Sequence, residues 1–334
     1  MAVTSREVHL VSRPSGEPAP ENFTLVTSEV RSPSDGQVLV RNNWLSVDPY
    51  MRGRMNDVKS YVAPFQLNAP LEGGAVGTVI ESRAGDVPVG ATVLHFAGWR
   101  EYALVDAPHV QQVDGSAVPL QTYLGPAGMP GLTAYAGLTR IAPVRDGDVV
   151  FISAAAGAVG TVAGRIARHL GAAKVIGSAG GPTKAQRLVS DFGFDTGIDY
   201  RAGNLDKHLR EAAPDGIDVY FDNVGGEHLR AAIATMRDNG RIAMCGAISH
   251  YNDAAAGPGP DNLMQVISKR LTVRGFIVSD HKDLAADFTG LASSWIGDGS
   301  LRTPETVAEG IDNAVDAFLG LLRGANTGKM LIRL

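Results

Sequence analysis

From Pro126 onward the chain alternates short apolar runs with segments of helical periodicity. Val149–Ser153, Lys174–Ser178, Thr196–Asp199, Ile217–Phe221, Arg241–Cys245 and Leu271–Phe276 read as strands. Helices are expected over Val159–Leu170, Thr183–Asp191 and Leu205–Ala212. Apolar strands joined through helices specify a parallel sheet covered on both faces. This alternation restricts that half of the chain to an α/β class, a doubly wound parallel sheet of the Rossmann type.

The first third follows a different rule. Gln37–Asn42, Val76–Ser82, Thr92–Ala97 and Glu101–Val105 are strand-like. Turn clusters such as Pro33-Ser34-Asp35-Gly36 separate them, which is an antiparallel β pattern. The tail from Val307 holds one more helix and a last strand, Lys329–Arg333. The Rossmann strand set is complete without it, so the tail is expected to return to the first domain. The division is therefore a β-rich domain over 1–125, completed by 303–334, and a nucleotide-binding domain over 126–302. A length of 334 residues suits two domains.

The charge balance excludes several partner classes. Thirty Lys and Arg against 35 Asp and Glu give a net charge of −5, unlike a general nucleic-acid binder. A single cysteine, Cys245, allows no intrachain disulfide. No apolar run approaches the roughly 18 residues of a membrane span. The polar start, Met-Ala-Val-Thr-Ser-Arg-Glu, lacks a signal core, so a cytoplasmic enzyme is expected.

The strongest local signal is Ser153-Ala-Ala-Ala-Gly157-Ala-Val-Gly160, between a buried strand and a helix. That context belongs to a dinucleotide fingerprint. Gly157 lets backbone approach a pyrophosphate, and Gly160 lets the helix pack tightly on the strand. Ala158, Val159 and Gly160 open the helix whose free N–H groups would receive the phosphates. Ala155 stands where the pattern usually has its first glycine.

Charge selects the cofactor. An NAD site carries an acid about 20 residues further on, for the ribose 2′-hydroxyl. Here that strand ends in Gly177-Ser-Ala-Gly-Gly181, and Lys184 follows. A missing carboxylate and a nearby cation suit the 2′-phosphate of NADPH. Further contacts are expected after strand ends, from Asn223, from Cys245, Gly246, Ala247, Ile248 and Ser249, and from Phe276, Ile277 and Val278. The Cys245 thiol itself reads as a small buried hydrophobe.

A zinc alcohol dehydrogenase would also join a β-rich domain to such a sheet. Its metal needs Cys, His or carboxylate ligands in near-tetrahedral array. The eight histidines show no paired metal spacing, and Leu71-Glu72-Gly73-Gly74 offers only Glu72. No metal site is expected.

Six stretches then converge. They are Ser46–Met55, Met129–Tyr135, Ala154–Gly160, Phe221-Asp-Asn-Val-Gly-Gly226, Cys245–Asn252 and Gly324–Lys329. In that order the chain resembles the zinc-independent medium-chain reductases of activated alkenes, which include alkenal, prostaglandin and bacterial curcumin reductases. The resemblance implies a GroES-like substrate domain, an NADPH-binding Rossmann domain and a homodimer. By position, Lys184 matches the family's 2′-phosphate lysine, Tyr200 a tyrosine flanking the nucleotide, and Asn223 its post-strand asparagine. Asn326 matches the asparagine of the closing loop, and Tyr251 the active-site tyrosine. His250 departs from the Thr, Gly or Gln common in relatives.

A conjugated enone accepts hydride at its β-carbon, and charge moves to the carbonyl oxygen. A hydrogen-bond donor aimed at that oxygen stabilises the developing enolate. Tyr251, just past a strand end, is the first candidate. Tyr50, after the turn-forming Asp48-Pro49 pair, is the second. The expected activity is NADPH-dependent reduction of the C=C bond of α,β-unsaturated aldehydes and ketones. The alternatives are an NADPH:quinone oxidoreductase and a nucleotide-binding protein without turnover.

Overall fold

The computed structural model describes residues 3–116, 118–253, 259–301 and 303–334. The chain divides into two compact units, Met1–Gly125 with Glu305–Leu334, and Pro126–Pro304. Arg302, where the sequence reading ends the second domain, lies outside the described residues.

In the first unit, β1 (Val3–Leu10) and β2 (Phe23–Val30) pair antiparallel as a two-stranded sheet. A seven-stranded sheet surrounds β3 (Gln37–Val47), joined by β4 (Ala75–Ser82), β5 (Thr92–His95), β6 (Tyr102–Asp106) and β7 (Gln111–Gln112).

The second unit holds β8 (Val149–Ile152), β9 (Lys174–Ala179), β10 (Thr196–Asp199), β11 (Ile217–Asp222), β12 (Met236–Met244) and β13 (Thr272–Gly275). All pair parallel, in the order β10-β9-β8-β11-β12-β13. That is the doubly wound Rossmann order, with its reversal between β8 and β11. The helices Ala158–His169, Pro182–Ser190, Leu205–Ala212 and Gly226–Thr235 connect the strands. Two apolar clusters form the core. One includes Val150, Ile152, Val162, Ile166 and Val219; the other includes Phe151, Ile176, Leu209, Tyr220 and Ile233. Their division follows the alternation of side chains along β8, with Val150 and Ile152 in one cluster and Phe151 in the other.

The tail returns to the first unit. β14 (Glu305–Glu309) lies parallel to β15 (Lys329–Arg333), and β15 pairs antiparallel with β3. The helix Ala314–Leu322 packs Phe318 edge-on to Trp99 and Phe23.

Two sequence readings need correction. Leu271–Phe276 was read as a strand buried on both faces, yet all four residues of β13 are exposed, because it is the sheet's edge. Arg241–Cys245 is only the second half of a strand that begins at Met236. The hairpin β1–β2 and the strand β14 gave no recognised pattern. In β1 polar Ser5 and Glu7 are buried, while Leu25 of β2 and Val307 of β14 are exposed, so polarity does not follow burial along these strands.

Candidate active site

The sheet order reverses between β8 and β11, and open α/β sheets bind ligands outside the strand ends at such a point. The turn leaving β8 caps the helix Ala158–His169 with Gly157. The first-turn amides, including those of Ala158, Val159 and Gly160, have no partner within the helix. A Cβ at Gly160 would stand 2.4 Å from the Ala154 carbonyl oxygen and 2.6 Å from Ala155 Cα. Only glycine allows that approach of helix to strand. Gly157 is open by contrast, with one backbone atom at 3.2 Å from such a Cβ.

The Ala155 departure has a structural answer on the neighbouring strand. The Ala155 methyl stands 2.7 Å from where a Cβ of Gly177 would lie, so β9 makes room for it. The sharp turn falls instead on Ala154, whose φ is +47°.

Beyond β9 lies the next of the expected cofactor residues. Lys184 lies in the first turn of Pro182–Ser190, half-buried. Burial first, and then the charge of Arg201, lower its pKa. Arg201 Nε and Tyr200 Oη lie 2.9 and 3.0 Å from where a Cβ of Gly180 would stand. Asp199 Oδ1 accepts hydrogen bonds from the Gly181 and Arg201 amides, at 2.7 and 3.0 Å. The Tyr200 ring packs edge-on against buried His228, at 5.0 Å, and burial lowers His228 to about 4. Arg201, Asp199 and His228 were missed in the sequence. Arg201 was findable, being a second cation beside Tyr200 at the end of a strand.

The loops after β11 and β12 lie together. Ile248 N donates to Asn223 O at 3.3 Å, and Ser249 N to Val224 O at 3.2 Å. Asn223 Nδ2 donates back to Ser153 O at 2.8 Å. Cys245 and Gly246 leave β12, Ala247 caps the short turn Ile248–His250, and Tyr251 closes it. Tyr251 Oη and Asn223 O stand 3.3 and 3.2 Å from where a Cβ of Gly246 would lie. The predicted contacts Asn223, Gly246 and Tyr251 are therefore brought to one place. Burial pushes the Cys245 thiol up to about 12, so it is no nucleophile at neutral pH. His250 pairs with Asp253 at 2.8 Å on the exposed side. Phe276, Ile277 and Val278 follow β13 half-buried, with Phe276 edge-on to Phe221.

Tyr50 belongs to the first unit. It sits in a turn launched from the end of β3, where Met51 N donates to Asp48 O at 3.2 Å. Its ring stacks on Phe96 at 6.4 Å. Its hydroxyl is buried, with no hydrogen-bond partner among the described residues. Burial, reinforced by the Asp48 charge, raises its pKa. Lys329 anchors the turn from β15. Its Nζ donates to Val47 O at 2.8 Å and to Asp48 Oδ1 at 2.9 Å. Ser46 Oγ donates to the other Asp48 oxygen. Asn326, buried in the loop before β15, donates to Gly328 O at 2.7 Å. Glu72, weighed alone as a metal ligand, pairs with Arg54 at 2.7 Å. Among the described residues, no three His, Cys, Asp or Glu side chains group as a metal site. Among the described residues, no helix is long and apolar enough to cross a membrane.

This fold and these strand-end loops define a medium-chain dehydrogenase/reductase, and comparison agrees. A family model described as the N-terminal domain of oxidoreductase matches residues 6–113, and one described as zinc-binding dehydrogenase matches 158–294. The NADPH-dependent curcumin reductase of Escherichia coli is 38% identical over 97% of this chain and 95% of its own. The NADP(+)-dependent 2-alkenal reductase of Nicotiana tabacum is 38% identical over 99% and 97%. The solved structure of CurA in complex with NADPH, from Vibrio vulnificus, superposes with a TM-score of 0.93, at 38% identity and 98% coverage of both chains. The chain belongs to the medium-chain reductase family, in the branch that holds these alkenal and curcumin reductases.

Proposed function

We propose that this protein is an NADPH-dependent ene-reductase that saturates the C=C bond of α,β-unsaturated aldehydes and ketones. The observation that carries the cofactor is Lys184, in the first turn of the helix after β9, where the strand end has none of the acid an NAD site would carry. The curcumin and 2-alkenal reductases among the relatives support the substrate class.

NADPH, when bound, supplies the hydride that reaches the β-carbon. The helix amides at Ala158, Val159 and Gly160 bind the pyrophosphate, with Gly157 giving access. Lys184 and Arg201 bind the 2′-phosphate, and Tyr200 flanks the adenine end. Asn223, Cys245–Ser249, Phe276–Val278 and Asn326 complete the cofactor contacts, through backbone at Cys245. Tyr251 donates to the carbonyl oxygen as enolate charge develops, or orients the ribose hydroxyl that does so. Tyr50 lines the substrate side.

We read the protein as a cytoplasmic homodimer. The open edge at β13, beside exposed Leu263, Met264, Ile267 and Val273, supports a second copy as partner. Ile267→Glu should then give a monomer by light scattering.

The deciding experiment follows NADPH absorbance with a simple enone and identifies the product. A saturated ketone is expected. A hydroquinone made only from quinones, or no turnover with any enone, would overturn the reading.

A further inference from the structure

One buried carboxylate of the second unit has no role in the chemistry proposed for this site. Asp222 ends β11 and is fully buried. One carboxylate oxygen, Oδ1, accepts from Tyr220 Oη at 2.7 Å, Val224 N at 2.9 Å, Gly225 N at 2.8 Å and Ser153 Oγ at 3.3 Å. The other, Oδ2, is buried with no partner among the described residues. A surface loop has no need of this. Burying a carboxylate is costly unless its hydrogen bonds repay it, so such a group marks a place where geometry is held fixed.

What it holds can be traced bond by bond. The amides of Val224 and Gly225 fix the turn that carries Asn223, in which Gly225 and Gly226 have φ of +72° and +48°. Ser153 Oγ, within reach of Oδ1, accepts from Asn223 N at 2.9 Å and so ties the end of β8 to that turn. The main-chain oxygen of Asp222 accepts from Cys245 N at 2.8 Å and Gly246 N at 3.0 Å. Asn223 O and Val224 O then receive Ile248 N and Ser249 N, the start of the short turn that ends in Tyr251. Three strand ends, β8, β11 and β12, meet at one residue.

We infer that Asp222 is a positioning residue that sets the loops around the nicotinamide end of the cofactor, and with them Tyr251. The inference rests on the NADPH reading above. It has a signature that separates it from the 2′-phosphate site. Lys184 and Arg201 stand beyond β9 and β10, outside this network, so they discriminate NADPH from NADH. Asp222 acts on parts common to both cofactors.

The test measures NADPH and NADH dissociation constants directly, by nicotinamide fluorescence, on the full chain without substrate. Asp222→Ala should weaken both by the same factor, roughly 10-fold or more, because two loop amides lose a charged acceptor. Its kcat with an enone should fall as well. Asp222→Asn keeps an oxygen for the same donors and should bind both cofactors within about 3-fold of the original chain. If Asp222→Ala does not fold, Tyr220→Phe gives the answer. It keeps the ring stacked on Phe151 and removes only the hydroxyl, and should give the same unselective loss at roughly 5-fold, beyond that of the Asn variant. Unchanged binding of both cofactors, a loss confined to NADPH, or an Asn variant no better than Ala would each overturn the inference. Binding is read without turnover, so a failure to reduce enones would count against the functional proposal alone.

Discussion

The nucleotide-binding turn after β8 and the Tyr50 turn after β3 are both loops that leave a strand, yet they are held by opposite means. The first is held by backbone. Gly160 lets the helix close on Ala154, and Gly177 admits the Ala155 methyl. The second is held by charge. Lys329, 2% exposed, reaches from β15 to Asp48, 281 residues away in sequence. Backbone devices are cheap and local. A buried ion pair is costly to desolvate and gives a fixed geometry only while both members are present.

That contrast predicts the largest effect. Lys329→Met leaves Asp48 charged, buried and unpaired, and should lower stability by about 3–5 kcal/mol. Asp48→Leu should do the same from the other side. The double variant restores an apolar pair and should recover much of the loss, as measured by urea unfolding. Single variants as stable as the original chain would show that the pair is not what holds the turn.

The same contrast explains what could be read from sequence. The Rossmann half was legible where its strands and its first three helices after β8 carry their own period, though not at the helix Gly226–Thr235, and the Ser153–Gly160 turn places its glycines within one local segment. β10 and the helix after it have the bounds expected, Thr196–Asp199 and Leu205–Ala212. The strand β13 was legible but its place at the exposed edge was not, since its Val273 looks like any core strand residue. In the candidate site, Lys184 was singled out because a missing acid is visible in sequence. Arg201 and the Asp222 network were not. Arg201 stood beside Tyr200 at a strand end and was passed over, whereas the Asp222 network joins strands brought side by side, which no spacing along the chain records. Lys329 read as an ordinary strand residue for the same reason.

The next effect sharpens the backbone side of the comparison. Lys184→Ala should weaken NADPH binding roughly 10- to 150-fold, the worth of one charge-assisted contact. NADH binding should hardly change, because it lacks the 2′-phosphate. Equal losses for the two cofactors would place Lys184 at the pyrophosphate or in folding.

Tyr251→Phe should lower kcat and kcat/KM together by roughly 10-fold, with NADPH affinity kept. The ribose hydroxyl covers part of the loss. A deuteride isotope effect must first show that hydride transfer limits the rate. An unchanged kcat under that condition would leave Tyr251 as a wall residue.

The smallest effect falls on Tyr50, where the two kinds of anchoring meet. Its hydroxyl is buried and without a partner among the described residues, in a turn whose position the Lys329–Asp48 pair fixes. An unpaired buried hydroxyl costs about 1–3 kcal/mol in folding. Tyr50→Phe removes the hydroxyl and keeps the ring on Phe96, so thermal stability should stay the same or rise. A hydroxyl kept at such a cost and used for substrate would show itself only when substrate binds. The variant should then raise KM for the enone by a few-fold, roughly one neutral hydrogen bond, with kcat and NADPH affinity unchanged. A fall in kcat instead would make Tyr50 the donor to the enolate and exchange its role with that of Tyr251. A fall in stability would mean that the hydroxyl has a structural partner after all, and the turn would join the nucleotide site as one held by hydrogen bonds as well as by charge.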